Sequence, residues 1–257
     1  MYEYEGLQDV IFIALYCVAA FAALLACVYL LCRRGNAFMQ EKGPESVKTI
    51  ETPSGPLRLG SEVRSSLRLR RWTAALMAAI VGSHVWWYVL GQVWLTDDRL
   101  VRNIIAIALD HVTLVPLTMA VLLAMLQDRR RPLWPWLVAE VAAVVLTAVM
   151  GIARRDEFWG YDVLGYCQLA LIAGFIIYYA LALRHYGRWL RDNYANLEHK
   201  EVWQSLTFAV ALFVVYEVYT SNGGELLREY LSQVVTLVII AFLLWRVETL
   251  QELKDEA

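Results

Sequence analysis

Three titratable side chains, His84, Asp110 and His111, stand near the middle of long apolar runs of this chain. A charged group in lipid costs several kcal/mol, and groups placed there usually move ions or protons or carry a signal. If the runs bearing His84 and Asp110 pack side by side, an imidazole and a carboxylate can meet. The pair would serve either as a functional relay or as a structural cross-helix hydrogen bond, and the residue types suit both. Thr113 lies about one turn beyond Asp110, and Pro116 loosens the backbone ladder there.

A second set of polar and aromatic residues falls toward the other ends of the runs. Tyr216 with Glu217, Gln233 with Thr236, Gln168 with Tyr161, and the sequence Trp86, Trp87, Tyr88 could line one cavity. Glu229, Gln233 and Thr236 follow an i, i+4, i+7 spacing and mark one face of a helix. An aromatic wall with a few polar groups is the usual form of a small-ligand site. Tryptophans near a bilayer boundary are also ordinary interface anchors, and that alternative stays open. Glu140 shares a face with Thr147 and is expected to be a structural partner to an arginine.

The motifs of several chemistries are missing from the sequence: there is no P-loop, dinucleotide fingerprint, zinc-type spacing or nucleophile elbow. No enzyme activity, catalytic residue, metal or cofactor is therefore expected. Histidines on two neighbouring helices can ligate a haem, but one such pair without further context is weak ground for it.

The elements that must position these residues are membrane spans. The chain has 257 residues, 59% of them hydrophobic, with a mean hydropathy of +0.47. A span needs about 20 apolar residues to cross roughly 30 Å of hydrocarbon. Seven segments qualify: Val10 to Leu31, Trp72 to Leu95, Leu100 to Leu126, Leu133 to Met150, Tyr161 to Leu183, Val202 to Tyr219 and Leu226 to Trp245. Backbone groups in lipid must be bonded within their own segment, and the runs lack the alternation of a barrel, so they are expected to be helices. The expected fold is all-α and polytopic. A seven-helix membrane domain covers residues 1–245, with a loop at 33–71, and an extension occupies 246–257.

All four lysines (Lys42, Lys48, Lys200, Lys254) fall outside the spans. Arg33, Arg34, Arg68, Arg70, Arg71, Arg129 to Arg131, Arg184, Arg188 and Arg191 cluster at alternate span ends. The positive-inside bias then puts the N-terminus outside and the C-terminus in the cytoplasm, with Arg154 and Arg155 the discordant pair. The first segment has no basic region before it and no cleavage pattern after it, and reads as a span rather than a removable signal.

In the first basic loop, VKTIET and LRL are candidate strands of a small hairpin turning at Pro53-Ser54-Gly55-Pro56. In YGRWLRDNYANLEHKEVWQS, Trp189, Tyr194, Leu197 and Trp203 alternate with charges, as in a helical extension lying among headgroups or meeting a partner. Beyond Trp245, Val247, Leu250 and Leu253 share a face, so the last span is expected to run straight into the cytoplasm. Such a helix can lead to a dimeric output domain or end as a solvated tail. Cys17, Cys27, Cys32 and Cys167 lie in or at the end of spans and are expected to be free, buried thiols.

The strings LRRWTAALMAAIVGSHVWW, LVPLTMAVLLAMLQDRRRPLWP, RWLRDNYANLEHKEVWQSL and LLWRVETLQEL resemble the N-terminal membrane region of Bacteroidetes membrane-anchored signalling proteins. In those proteins it is joined to an AraC-type helix-turn-helix or a histidine-kinase-like output. The resemblance covers nearly the whole chain, which lacks the output; a piece ending just beyond the last span and a stand-alone member both fit. LDHVTLVP is also similar to the third helix of microbial rhodopsins, but LLREYLSQVVTLVIIAFLLW contains no lysine, so no retinal Schiff base can form. Fold analogy does not carry function.

Together these readings imply a sensor or receptor module of the bacterial inner membrane. A small ligand would act on His84, Trp87, Asp110, His111, Gln168, Tyr216, Glu217 and Gln233 and bias the last helix toward a cytoplasmic output. The expected partners are the lipid bilayer, that ligand and a second copy through the C-terminal helix, with no direct nucleic-acid contact. The alternative is a small-solute or proton transporter relaying through Asp110, His84 and Glu217. No inverted repeat of the kind transporters use is visible in the sequence.

Overall fold

The structure, a computed structural model, describes residues 7–33, 48–52, 55–59, 65–92, 99–154, 157–194, 197, 200–220 and 225–253. Seven α-helices are described: α1 (Leu7–Cys32), α2 (Leu67–Gln92), α3 (Arg99–Met125), α4 (Trp134–Arg154), α5 (Glu157–Asn193), α6 (Trp203–Thr220) and α7 (Glu225–Thr249). Five of them carry apolar stretches long enough to cross a bilayer, and α4 and α6 carry shorter ones, Trp134–Leu146 and Trp203–Val214. Each helix packs on its neighbour in sequence, and α7 closes the ring against α1 and α2.

Large apolar side chains face outward along the helices, Phe21 and Leu31 of α1, Val138 and Val149 of α4, and Ile177 and Leu181 of α5 among them. In water such a belt would drive aggregation, whereas in lipid it is the stable arrangement. This is a multi-pass membrane protein.

The tightly packed core lies toward the arginine-bearing ends: Leu69, Leu76 and Met77 of α2, Leu123 to Met125 of α3 with Leu126 just beyond it, Tyr179, Tyr186 and Leu190 of α5, and Leu243 and Val247 of α7. Polar bonds close the same end. Arg70 is paired with Glu248 at 3.1 Å, both buried, and reaches the Ser65 hydroxyl at 3.0 Å and the Arg33 carbonyl at 2.7 Å. Arg246 donates to the Glu201 carbonyl, Tyr186 donates to that of Lys200 at 3.2 Å, and Arg131 makes two bonds to Asp128 at 2.6 and 2.9 Å. The basic connections expected on one side therefore do gather at one end of the bundle.

Ser66 caps α2 by accepting the Leu69 amide at 3.2 Å. The hairpin of the first loop forms, with Lys48–Thr52 antiparallel to Gly55–Leu59 and Lys48 opposite Leu59. Two turn residues, Pro53 and Ser54, lie outside the described residues.

Two expectations are corrected, on the tail and the thiols, and one is sharpened. The chain beyond Trp245 is not a straight helix, because α7 ends at Thr249. Gln127 then grips the next residues, donating to the Gln251 carbonyl at 2.9 Å and accepting the Leu253 amide at 2.8 Å. Val247 and Leu250 are buried, so the apolar seam that suggested a dimer is covered by the bundle itself. The aromatic segment after Leu183 is helical as far as Asn193, as the continuation of α5, which runs unbroken for 37 residues. Trp189 of that segment packs against Tyr186 and Tyr194, while Trp203 is exposed. The thiols are free, but Cys17 and Cys32 are exposed on α1 rather than buried.

Candidate functional site

Ser83, Trp86 and Trp87 stand at i, i+3 and i+4 on α2 and so share one face, the face turned to α3. All three donate to Asp110. Ser83 Oγ reaches Oδ1 at 2.6 Å, Trp86 Nε1 reaches Oδ1 at 3.2 Å, and Trp87 Nε1 reaches Oδ2 at 2.8 Å. Gly82 makes room for this arrangement, because a Cβ there would stand 3.1 Å from the Trp86 ring. The carboxylate is met by three fixed donors, the arrangement that holds a negative charge in a poorly hydrated place.

His84 is one residue on from Ser83, about 100° around the helix, and points elsewhere. Its Nδ1 lies 2.8 Å from the Ile80 carbonyl, which can only accept, so this nitrogen carries a proton. Its Nε2 lies 3.1 Å from Oε1 of Gln233 on α7. That amide orientation suits a ring protonated on both nitrogens, and turning the amide over suits the neutral ring. The Gln233 amide nitrogen also meets the Ser232 hydroxyl at 3.3 Å, a group able to donate or accept, so either orientation is satisfied. Tyr16 of α1 donates to the His84 carbonyl, and its ring lies 4.6 Å from the imidazole. Phe12 leans on Tyr16 and on Tyr230 of α7.

The expected His84–Asp110 pair is therefore not made. The two residues belong to adjoining but separate sets of bonds, because successive residues of α2 face different neighbours. Trp87 joins Asp110, Gln233 joins His84, and His111 sits half-buried beside Asp110 in sequence.

Gln168 is not with them. It donates to Glu140 across the α4–α5 contact, with both residues fully buried. Glu140 thus has an amide partner where an arginine was expected. Tyr88 is exposed, Thr236 and Thr113 bond their own helices at the Ser232 and Leu109 carbonyls, and the side chains of Tyr161, Tyr216, Glu217 and Glu229 lie outside the described residues. Among the described residues, the aromatic and polar side chains expected to line one cavity are dispersed over different surroundings.

Ser83 and Tyr16 are not among the site residues expected from the sequence. The i, i+3, i+4 spacing with the two tryptophans was the available signal for Ser83. Tyr16 carried none, as one tyrosine in an apolar first span. Among the described residues no group of three or more His, Cys, Asp or Glu side chains could hold a metal ion. No protein family, curated protein or solved structure matches this chain.

Proposed function

We propose that this protein is a membrane sensor in which the buried polar cluster of α1, α2, α3 and α7 reports along α7 to the arginine-rich end. One observation carries the reading. α2 and α7 run antiparallel and are tied by two buried polar contacts, His84 to Gln233 and Arg70 to Glu248. These lie fourteen residues apart on α2 and fifteen on α7, about 21–23 Å along the helices. A ligand or proton that alters the first contact shifts α7 against α2, and the second is a buried ion pair that tolerates little displacement. On this reading the arginine-rich end faces the cytoplasm of a bacterial inner membrane, the N-terminus is outside, and the output receives its signal beside Glu248. Trp87 and Asp110 hold α3 in the same assembly.

The test is a double-mutant cycle on the two contacts, with Gln233→Leu, Glu248→Gln and the double variant unfolded in detergent. Sites this far apart normally add within about 0.3–0.5 kcal/mol. Coupling clearly beyond that supports transmission, and strict additivity sinks it. Reconstituted vesicles separate the rival class, since a sensor carries no proton flux. A flux abolished by Asp110→Asn would replace the sensor with a transporter.

A further inference from the structure

At the arginine-rich end, away from the polar cluster, a groove of about 400 Å³ runs between α5 and α6. Arg184, Arg188 and Arg191 line it at i, i+4 and i+7 along one side of α5, mainly through their apolar stems, which places their charged ends at its rim. All three are exposed, and among the described residues none forms an ion pair with a carboxylate; Arg191 Nε bonds only the Gly187 carbonyl of its own helix, at 3.1 Å. Ala180 and Leu183 of α5 and Leu206 of α6 complete the apolar lining, farther into the bundle than the arginines. Gly187 opens a notch between the two parts, with nothing within 4 Å of where a Cβ would stand.

We propose that this groove binds an anionic phospholipid, its phosphate held by Arg184, Arg188 and Arg191 and the start of an acyl chain lying along Ala180, Leu183 and Leu206. The gradient decides the ligand class. A free anion would use the arginines but leave the apolar part unfilled, and a zwitterionic lipid would fill the groove but bring an ammonium group toward three positive charges. An anionic lipid satisfies both parts. Arginine is suited to the task because its planar fork bonds two phosphate oxygens at once, and its stem packs along apolar surface while the head stays at the interface. Basic pockets between helices at the membrane boundary recognise headgroups on these terms.

Arg129 and Arg130 provide an internal control, being exposed at the same end but not lining the groove. The purified full chain, stripped of lipid and offered equal phosphatidylglycerol and phosphatidylcholine, should retain phosphatidylglycerol in native mass spectra. Arg184→Gln with Arg188→Gln should lower that retention by about tenfold or more. Gly187→Leu keeps every charge and fills the notch, and should lower it several-fold. Arg129→Gln with Arg130→Gln should leave it unchanged, and thermal melts establish that each variant is folded. Equal retention of the two lipids overturns the proposal. So does equal loss in the control pair, full retention by Gly187→Leu, or displacement of the lipid by excess inorganic phosphate.

Discussion

Asp110 and Glu140 are both carboxyl groups on apolar helices with partners on a neighbouring helix, yet their surroundings are opposite in kind. Asp110 faces three donors, two indole N–H groups and a hydroxyl, all from α2. Glu140 faces one donor, the Gln168 amide, and among the described residues its Oε2 and the Gln168 Oε1 have no hydrogen-bond partner. One place is shaped around an acceptor with two oxygens. The other has acceptors to spare and lacks a donor. Residue type alone therefore says little about what a buried acid does, and the count of donors around it says more.

The comparison breaks first at Asp110. Asp110→Ala leaves the Ser83 hydroxyl and two indole N–H groups without their acceptor and should lower stability by about 3 kcal/mol, read from unfolding in mixed micelles. A loss below about 1 kcal/mol would mean that these bonds do not hold α2 on α3.

Asp110→Asn is a finer instrument. One oxygen remains, but the new amide N–H must face an indole N–H that can only donate, Trp87 Nε1 in one orientation or Trp86 Nε1 in the other. The expected loss is about 2 kcal/mol. Trp87→Phe removes the donor that clashes, so the loss from Asp110→Asn should shrink in that background. An identical loss in both backgrounds would take Trp87 out of the cage.

Glu140→Gln should respond with the opposite sign. The new amide can donate to the orphan Gln168 Oε1 while still accepting from Gln168, so stability should hold or rise by up to about 1 kcal/mol. A loss as large as that of Asp110→Asn would erase the distinction between the two sites. The smallest effect is expected at Thr236, whose hydroxyl is already bonded to the Ser232 carbonyl of its own helix at 2.8 Å. Thr236→Val should change stability by less than about 0.5 kcal/mol, and a larger change would mean that the hydroxyl serves a second group.

The tail shows where local pattern misleads. Val247, Leu250 and Leu253 have helical spacing, and a pattern of that kind identifies a face without saying what covers it. Gln127, more than a hundred residues earlier, ends the helix by bonding the backbone at Gln251 and Leu253. The loop hairpin is the opposite case. Its strands pair near where VKTIET and LRL place them, because a short antiparallel hairpin depends on neighbouring residues alone.

Composition by itself determined that this chain enters a membrane as helices, because the need to bond every backbone amide inside lipid acts on each segment separately. The arginine pattern likewise determined which helix ends gather together. The tertiary structure alone decided which face of each helix meets which neighbour. That choice parted His84 from Asp110, gave Asp110 to Ser83 and the tryptophans, and sent Gln168 to Glu140. The rotation of a helix about its axis is set by packing against its neighbours rather than by its own hydrophobicity, and in these apolar runs a single polar residue defines a face too weakly to be read in advance.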